Sequence, residues 1–150
     1  MIVPPPILDL RGKLSVNGIY PRRDLDDVKY IVIHHSGVDV DSSSEEIARY
    51  HIGLGWATIG YSYVCRWDGA IEWALDLETQ GNNVARRNPE CLGICCPGNY
   101  TDKPGRVPQV AAKDTLVSWL LAGPLPGRQV VGHREIALPG YGTACPGMLI

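Results

Sequence analysis

Two histidines end apolar runs that read as strands. His34 follows Tyr30-Ile31-Val32-Ile33, and His133 follows Gln129-Val130-Val131-Gly132. Strand ends are where α/β folds place their sites. Beyond His133 lies Thr143-Ala144-Cys145-Pro146-Gly147. In an extended segment Thr143 and Cys145 would point to the same side, and Glu135 bears the same relation to His133. Two imidazoles and one thiolate suit Zn2+ and leave the fourth tetrahedral position to water, whose pKa bound zinc lowers to about 7. The three residues are scattered, with no compact H-x-x-x-H or C-x-x-C motif, so spacing alone leaves two readings open. One is a metal site; the other is two histidines hydrogen-bonded at strand ends beside a buried, apolar cysteine.

The elements that must position these residues follow from pattern. Tyr30 to Ile33 is a β-branched strand of the buried kind. Ser42 stands three residues before Glu45, a capping-box spacing that predicts a helix running to Ile52, with Gly53 and Gly55 as stops. Ile47, Tyr50, His51 and Leu54 would share its inner face. Gly60 through Trp67 alternates as a strand with Tyr61, Tyr63 and Cys65 on one side, and Asp68-Gly69 turns the chain into a partner strand from Ala70 to Leu75. Asp76 to Glu90 reads as a long polar loop, and Leu92 to Cys96 as another buried strand. Pro108 opens a second helix, with Val110, Ala111, Val117, Leu120 and Leu121 at helical spacing before Gly123. Gln129 to Gly132 is the last strand. Strands and helices mix without repeats, which predicts an α/β fold: a single domain, one central mixed β-sheet flanked by helices, and the site at strand ends. Residues 1–27, broken by Pro4-Pro5-Pro6, Asn17-Gly18 and Tyr20-Pro21, are expected as an extended N-terminal arm, with the domain proper at 28–150.

Composition excludes several classes. The chain has 150 residues, 45% of them hydrophobic and 20% charged. Such a chain can bury roughly two-thirds of its unfolded surface and is not globally disordered. With 14 Lys+Arg against 16 Asp+Glu the net charge is −2, which argues against nucleic acid as a partner. No apolar run approaches the ~20 residues of a membrane span, and Met1-Ile2-Val3-Pro4-Pro5-Pro6 lacks the cationic leader of a signal peptide. Five cysteines leave at least one unpaired or bound. Adjacent Cys95 and Cys96 face opposite ways in a strand, so Cys65, Cys91, Cys95 and Cys96 are expected as buried free thiols.

A series of motifs then carries a family resemblance: Ile31-Val32-Ile33-His34-His35-Ser36, Leu54-Gly55-Trp56, Ile59-Gly60-Tyr61, Trp67-Asp68-Gly69, Cys91-Leu92-Gly93-Ile94, Gly132-His133-Arg134-Glu135 and Thr143-Ala144-Cys145-Pro146-Gly147. In that order they resemble the zinc-dependent N-acetylmuramoyl-L-alanine amidases, a family of phage lysins, bacterial autolysins and animal peptidoglycan recognition proteins. The likeness runs from about Tyr30 to Gly147, and it identifies 28–150 as an amidase catalytic domain, trimmed from a longer lysin. It implies one catalytic Zn2+ on His34, His133 and Cys145, with His35 facing away. It also implies Tyr61 as a hydroxyl that orients the zinc-bound water or donates to the oxyanion, and Thr143 as a neutral donor to the tetrahedral intermediate. Glu135 would either hold a ligand imidazole in its tautomer or stand in solvent. Trp56, Asn83, Arg86 and Asn88 are the implied substrate contacts, with Arg86 and Arg87 suited to stem-peptide carboxylates or to a plain solvated loop. Ser62 and Asn82-Asn83 depart from the family pattern, which often has histidine there. The implied reaction is hydrolysis of the amide between N-acetylmuramic acid and L-alanine in peptidoglycan, by a monomer. The implied setting is the cell wall, reached as a phage lysin released from host cytoplasm or as a domain of a secreted protein. Two alternatives remain: a non-catalytic peptidoglycan-binding module of the same fold, whose members typically lack the cysteine, and a thiol hydrolase with Cys145 as nucleophile and His133 as base.

Overall fold

The structure is a computed structural model and describes residues 3–150. Six strands form its sheet: β1 (Ile7–Asp9), β2 (Tyr30–His35), β3 (Tyr63–Cys65), β4 (Ile71–Trp73), β5 (Cys91–Cys96) and β6 (Gln129–Gly132). Their order is β1-β4-β3-β5-β2-β6. β2 lies between β5 and β6 and is parallel to both, β3 is parallel to β5, and the β3–β4 hairpin is antiparallel. The fold is the mixed α/β sheet that the sequence predicts. Three helices accompany it: α1 (Ser44–Gly53), α2 (Val107–Ala122) and α3 (His133–Ile136).

The central strands are apolar at nearly every position because both faces are covered. Ile31, Ile33, Leu92, Ile94, Cys96, Tyr63 and Cys65 face α2, which packs on them through Leu116 and Leu120. On the opposite face α1 brings Ile47 and Ala48 against Val64 and Cys95. A third cluster joins Val32, Val84, Cys91 and Ile136 beneath α3. Alternation along β2 therefore puts His34 on the α1–α3 face and His35 on the α2 face.

Four expectations are corrected. The α1 cap is Ser43 with Glu46, one residue beyond the predicted Ser42 and Glu45. Two overlapping Ser-x-x-Glu frames exist here, and Glu45 is taken instead by Ser15, whose N–H and hydroxyl both donate to it. The buried stripe of α1 is Ser44, Ile47, Ala48 and His51; Tyr50 flanks it and Leu54 is already the C-cap, so both are exposed. β3 is shorter than predicted, because the Ser62 carbonyl accepts both the Ala74 and the Leu75 N–H. This irregularity takes Tyr61 off the line of Tyr63 and Cys65 and onto the α1 face. In α2, Ala111 is exposed while Gln109 and Lys113 are buried. Gln109 Nε2 donates to the Cys65 and Pro97 carbonyls, and Lys113 Nζ to that of Leu149, so the polar pair satisfies buried carbonyls at or just past the ends of β3 and β5 and near the C-terminus that an apolar stripe would leave bare. All five cysteines are buried and free.

Candidate metal centre

His34 is presented near the end of β2, in register with Cys95 of β5. β6 ends at Gly132, and His133 is the first residue of α3. The turn between them is held by Glu135, whose carboxylate accepts the Gly132 N–H at 2.9 Å. Glu135 is exposed, as the second of its two expected readings has it, and its carboxylate also ties down the backbone that leads into His133. Cys145 enters from the C-terminal loop. Its N–H donates to Thr143 Oγ1 (3.1 Å), its carbonyl accepts the Arg134 N–H (2.8 Å), and its Sγ accepts the His35 N–H (3.2 Å).

These three elements bring together the ligand atoms of His34, His133 and Cys145, all within 4.8 Å of one another. Among the described residues this is the one such cluster. Cys145 Sγ lies 3.7 Å from His34 Nδ1, and the two imidazole centroids are 4.8 Å apart. On the far side of the His34 ring, Nε2 stands 3.1 Å from Asn83 Oδ1. His35 is turned away, its Nδ1 accepting the Tyr100 N–H. The Tyr61 ring is centred 5.0 Å from that of His34.

Burial governs the charges here. It pushes His34 down to about 3, helped by neighbouring His133, and lowers His133 as well. It pushes the Cys145 thiol up to about 12, and together with the Cys95 and Cys145 thiols it raises Tyr61 well above a free phenol. Neutral imidazoles offer lone pairs, and a buried thiol can become thiolate only beside a cation. Two nitrogens and a sulfur converging in a buried pocket fit Zn2+.

The four expected substrate contacts divide. Asn83 and Asn88 point inward. Asn88 Oδ1 accepts the N–H groups of Asn83 and Val84 (2.7 and 2.9 Å), while its Nδ2 donates to Asn82 Oδ1. Asn83 is buried, with its Oδ1 against His34 Nε2. Trp56 packs over His51, 4.3 Å between centroids, and is only partly buried. Arg86 is exposed, has a left-handed backbone (φ 63°), and its Nε donates to the Tyr141 hydroxyl at 2.8 Å. Arg87 is spent on Glu90 and the Ile136 carbonyl. Tyr141 escaped the sequence reading; its only local signal is an aromatic side chain between Gly140 and Gly142.

A family model described as N-acetylmuramoyl-L-alanine amidase matches residues 24–148. The chain is 30% identical over 130 residues to peptidoglycan-recognition protein SC2 of Drosophila melanogaster, covering 80% of this chain and 68% of that protein. It is 28% identical over 112 residues to an endolysin of Enterobacteria phage K11, covering 72% of each. Among solved structures, the Ph2119 endolysin from a Thermus scotoductus bacteriophage aligns with a TM-score of 0.85 at 30% identity, over 97% of this chain and 94% of that one. Drosophila peptidoglycan recognition protein SD shares the fold, with a TM-score of 0.82 at 17% identity over 97% and 91% of the two chains.

Proposed function

Because the chain belongs to the N-acetylmuramoyl-L-alanine amidase family, we propose that it is a zinc-dependent enzyme hydrolysing the amide between N-acetylmuramic acid and L-alanine. The observation that carries this reading is the convergence of His34, His133 and Cys145 within 4.8 Å. Bound zinc would supply a Lewis acid for the scissile carbonyl and a water acidic enough to attack near neutral pH. His34 and His133, held neutral by burial, would give their lone pairs to it, and Cys145 would give up its thiol proton.

Tyr61 stays protonated across the working range because burial raises it, so its O–H remains a donor for the developing oxyanion. Thr143 accepts the Cys145 N–H, which leaves its own O–H as a second, uncharged donor. Arg86, with only Nε committed to Tyr141, keeps its remaining N–H groups for a stem-peptide carboxylate. Trp56 offers a partly exposed ring to the sugar or peptide. Glu135 acts upon the backbone at Gly132 and takes no part in proton transfer. The partner is peptidoglycan, met by a monomer at the cell wall. No helix of the described residues is long and apolar enough to cross a membrane.

Similarity to recognition proteins supports a second reading, binding without turnover. The thiol of Cys145 in the cluster favours catalysis over it. Mass spectrometry of digested peptidoglycan separates the two. Free L-alanine amino termini should appear, disappear with a chelator and return with added zinc. Zinc-loaded protein that binds peptidoglycan and releases no such termini would leave binding as the function.

A further inference from the structure

We infer that Asn83 is a positioning residue for His34: its buried amide selects which imidazole nitrogen faces His133 and Cys145. The inference rests on the cluster being a zinc site. Asn83 Oδ1 stands 3.1 Å from His34 Nε2. An amide oxygen only accepts, so the His34 proton sits on Nε2 and the lone pair sits on Nδ1, the nitrogen 3.7 Å from Cys145 Sγ. The reverse amide orientation would put N–H against Nε2 and force the proton onto Nδ1, abolishing the ligand.

The surroundings fix the orientation. Asn83 Nδ2 donates to the Cys91 carbonyl at 3.4 Å, an oxygen that also accepts Arg23 Nη1 at 2.8 Å. The Asn83 backbone N–H is held by Asn88 Oδ1. Space comes from Gly93 of β5: a Cβ there would lie 3.0–3.2 Å from three atoms of the Asn83 side chain. Asn88, Gly93 and Arg23 thereby become parts of one support, reaching His34 from behind.

The test measures zinc affinity by competition with a chromophoric chelator, beside the melting temperature of zinc-free protein. The set is the parent, Asn83→Leu, Asn83→Asp and Cys145→Ser. Leucine fills the space and accepts nothing, so Asn83→Leu should bind zinc roughly 10–100-fold more weakly. Aspartate keeps an acceptor but buries a charge, so Asn83→Asp should melt lower without zinc yet hold zinc within about threefold of the parent. A merely structural residue would make affinity follow zinc-free stability in both variants. Asn83→Leu binding zinc like the parent, or Asn83→Asp losing as much as Asn83→Leu, would overturn the inference and leave the zinc site standing. A parent that binds zinc no better than Cys145→Ser would overturn the zinc site itself, and this inference with it.

Discussion

A buried thiol is a poor ligand until its proton leaves, and burial pushes Cys145 up to about 12. The His35 N–H, donated to Sγ at 3.2 Å, favours the thiolate but does not offset the burial. A cation would have to supply the rest, so under the proposed zinc site metal uptake and proton release would be one event at this residue. At pH 7 zinc binding should release about one proton from Cys145 besides the fraction that zinc-bound water gives up, read by calorimetry in buffers of different ionisation enthalpy. Cys145→Ser should abolish that proton and weaken zinc at least about tenfold. Uptake with no proton released would mean that the sulfur is not the ligand. His34 and His133 stand out in the sequence because each ends a strand-like run, and Cys145 because it lies within the Thr143–Gly147 motif, although spacing alone leaves their role open. Asn83 does not, since its meaning depends on Gly93 of another strand leaving room and on Arg23 and Asn88 fixing its neighbours. No local pattern carries that information.

Helix α1 and the loop after it act as one unit through His51. Its Nδ1 accepts the Gly60 N–H at 2.9 Å, and its ring lies tilted against those of Trp56 and Tyr61, 4.3 and 5.6 Å between centroids. Burial pushes His51 down to about 4 from the usual 6.5. Between those values the unfolded chain binds a proton that the folded chain does not. Stability from this group is therefore whole above about pH 6.5 and is lost as pH falls towards 4, by about 1.4 kcal/mol per pH unit. Asn at this position keeps an acceptor for Gly60 and cannot titrate. His51→Asn should thus show a shallower fall in unfolding free energy between pH 6.5 and 4.5, measured by urea titration of chelator-treated protein. His34, lowered in the same direction, adds a common slope to both proteins. Parallel profiles would place the acid sensitivity outside His51. Elements themselves are the most legible feature here, and their edges the least. Two overlapping capping frames shift α1 by one residue, and a carbonyl shared by two N–H groups at Ser62 shortens β3.

The sheet order places the candidate metal centre among β5, β2 and β6, while the N-terminal segment crosses from α1 to the opposite edge. Along the way Ser15 binds Glu45, Tyr20 donates to the Thr58 carbonyl, and β1 extends the sheet beside β4. Arg23 makes the deepest of these contacts. It is 8% exposed and donates to the carbonyls of Leu77, Asn88, Pro89 and Cys91, with no carboxylate partner and one nitrogen unpaired among the described residues. Burial pushes it down to about 10, still cationic at neutral pH. A cation held only by carbonyls is costly to bury, and what it secures is the loop from Leu77 to Cys91 that carries Asn83, Arg86 and Asn88. Arg23→Met should leave those carbonyls without donors and lower the unfolding free energy by about 2 kcal/mol or more in urea. Arg22→Met is the matched control. That side chain is 62% exposed and pairs only with Asp76 and Glu78 at the surface, so its loss should stay within about 0.5 kcal/mol. If Arg23 holds the loop against the sheet, its replacement should also speed hydrogen exchange at the Asn83 and Val84 amides more than at the centre of β2. Uniform acceleration across the sheet would make Arg23 a contributor to global stability alone, with no particular hold on the wall behind His34.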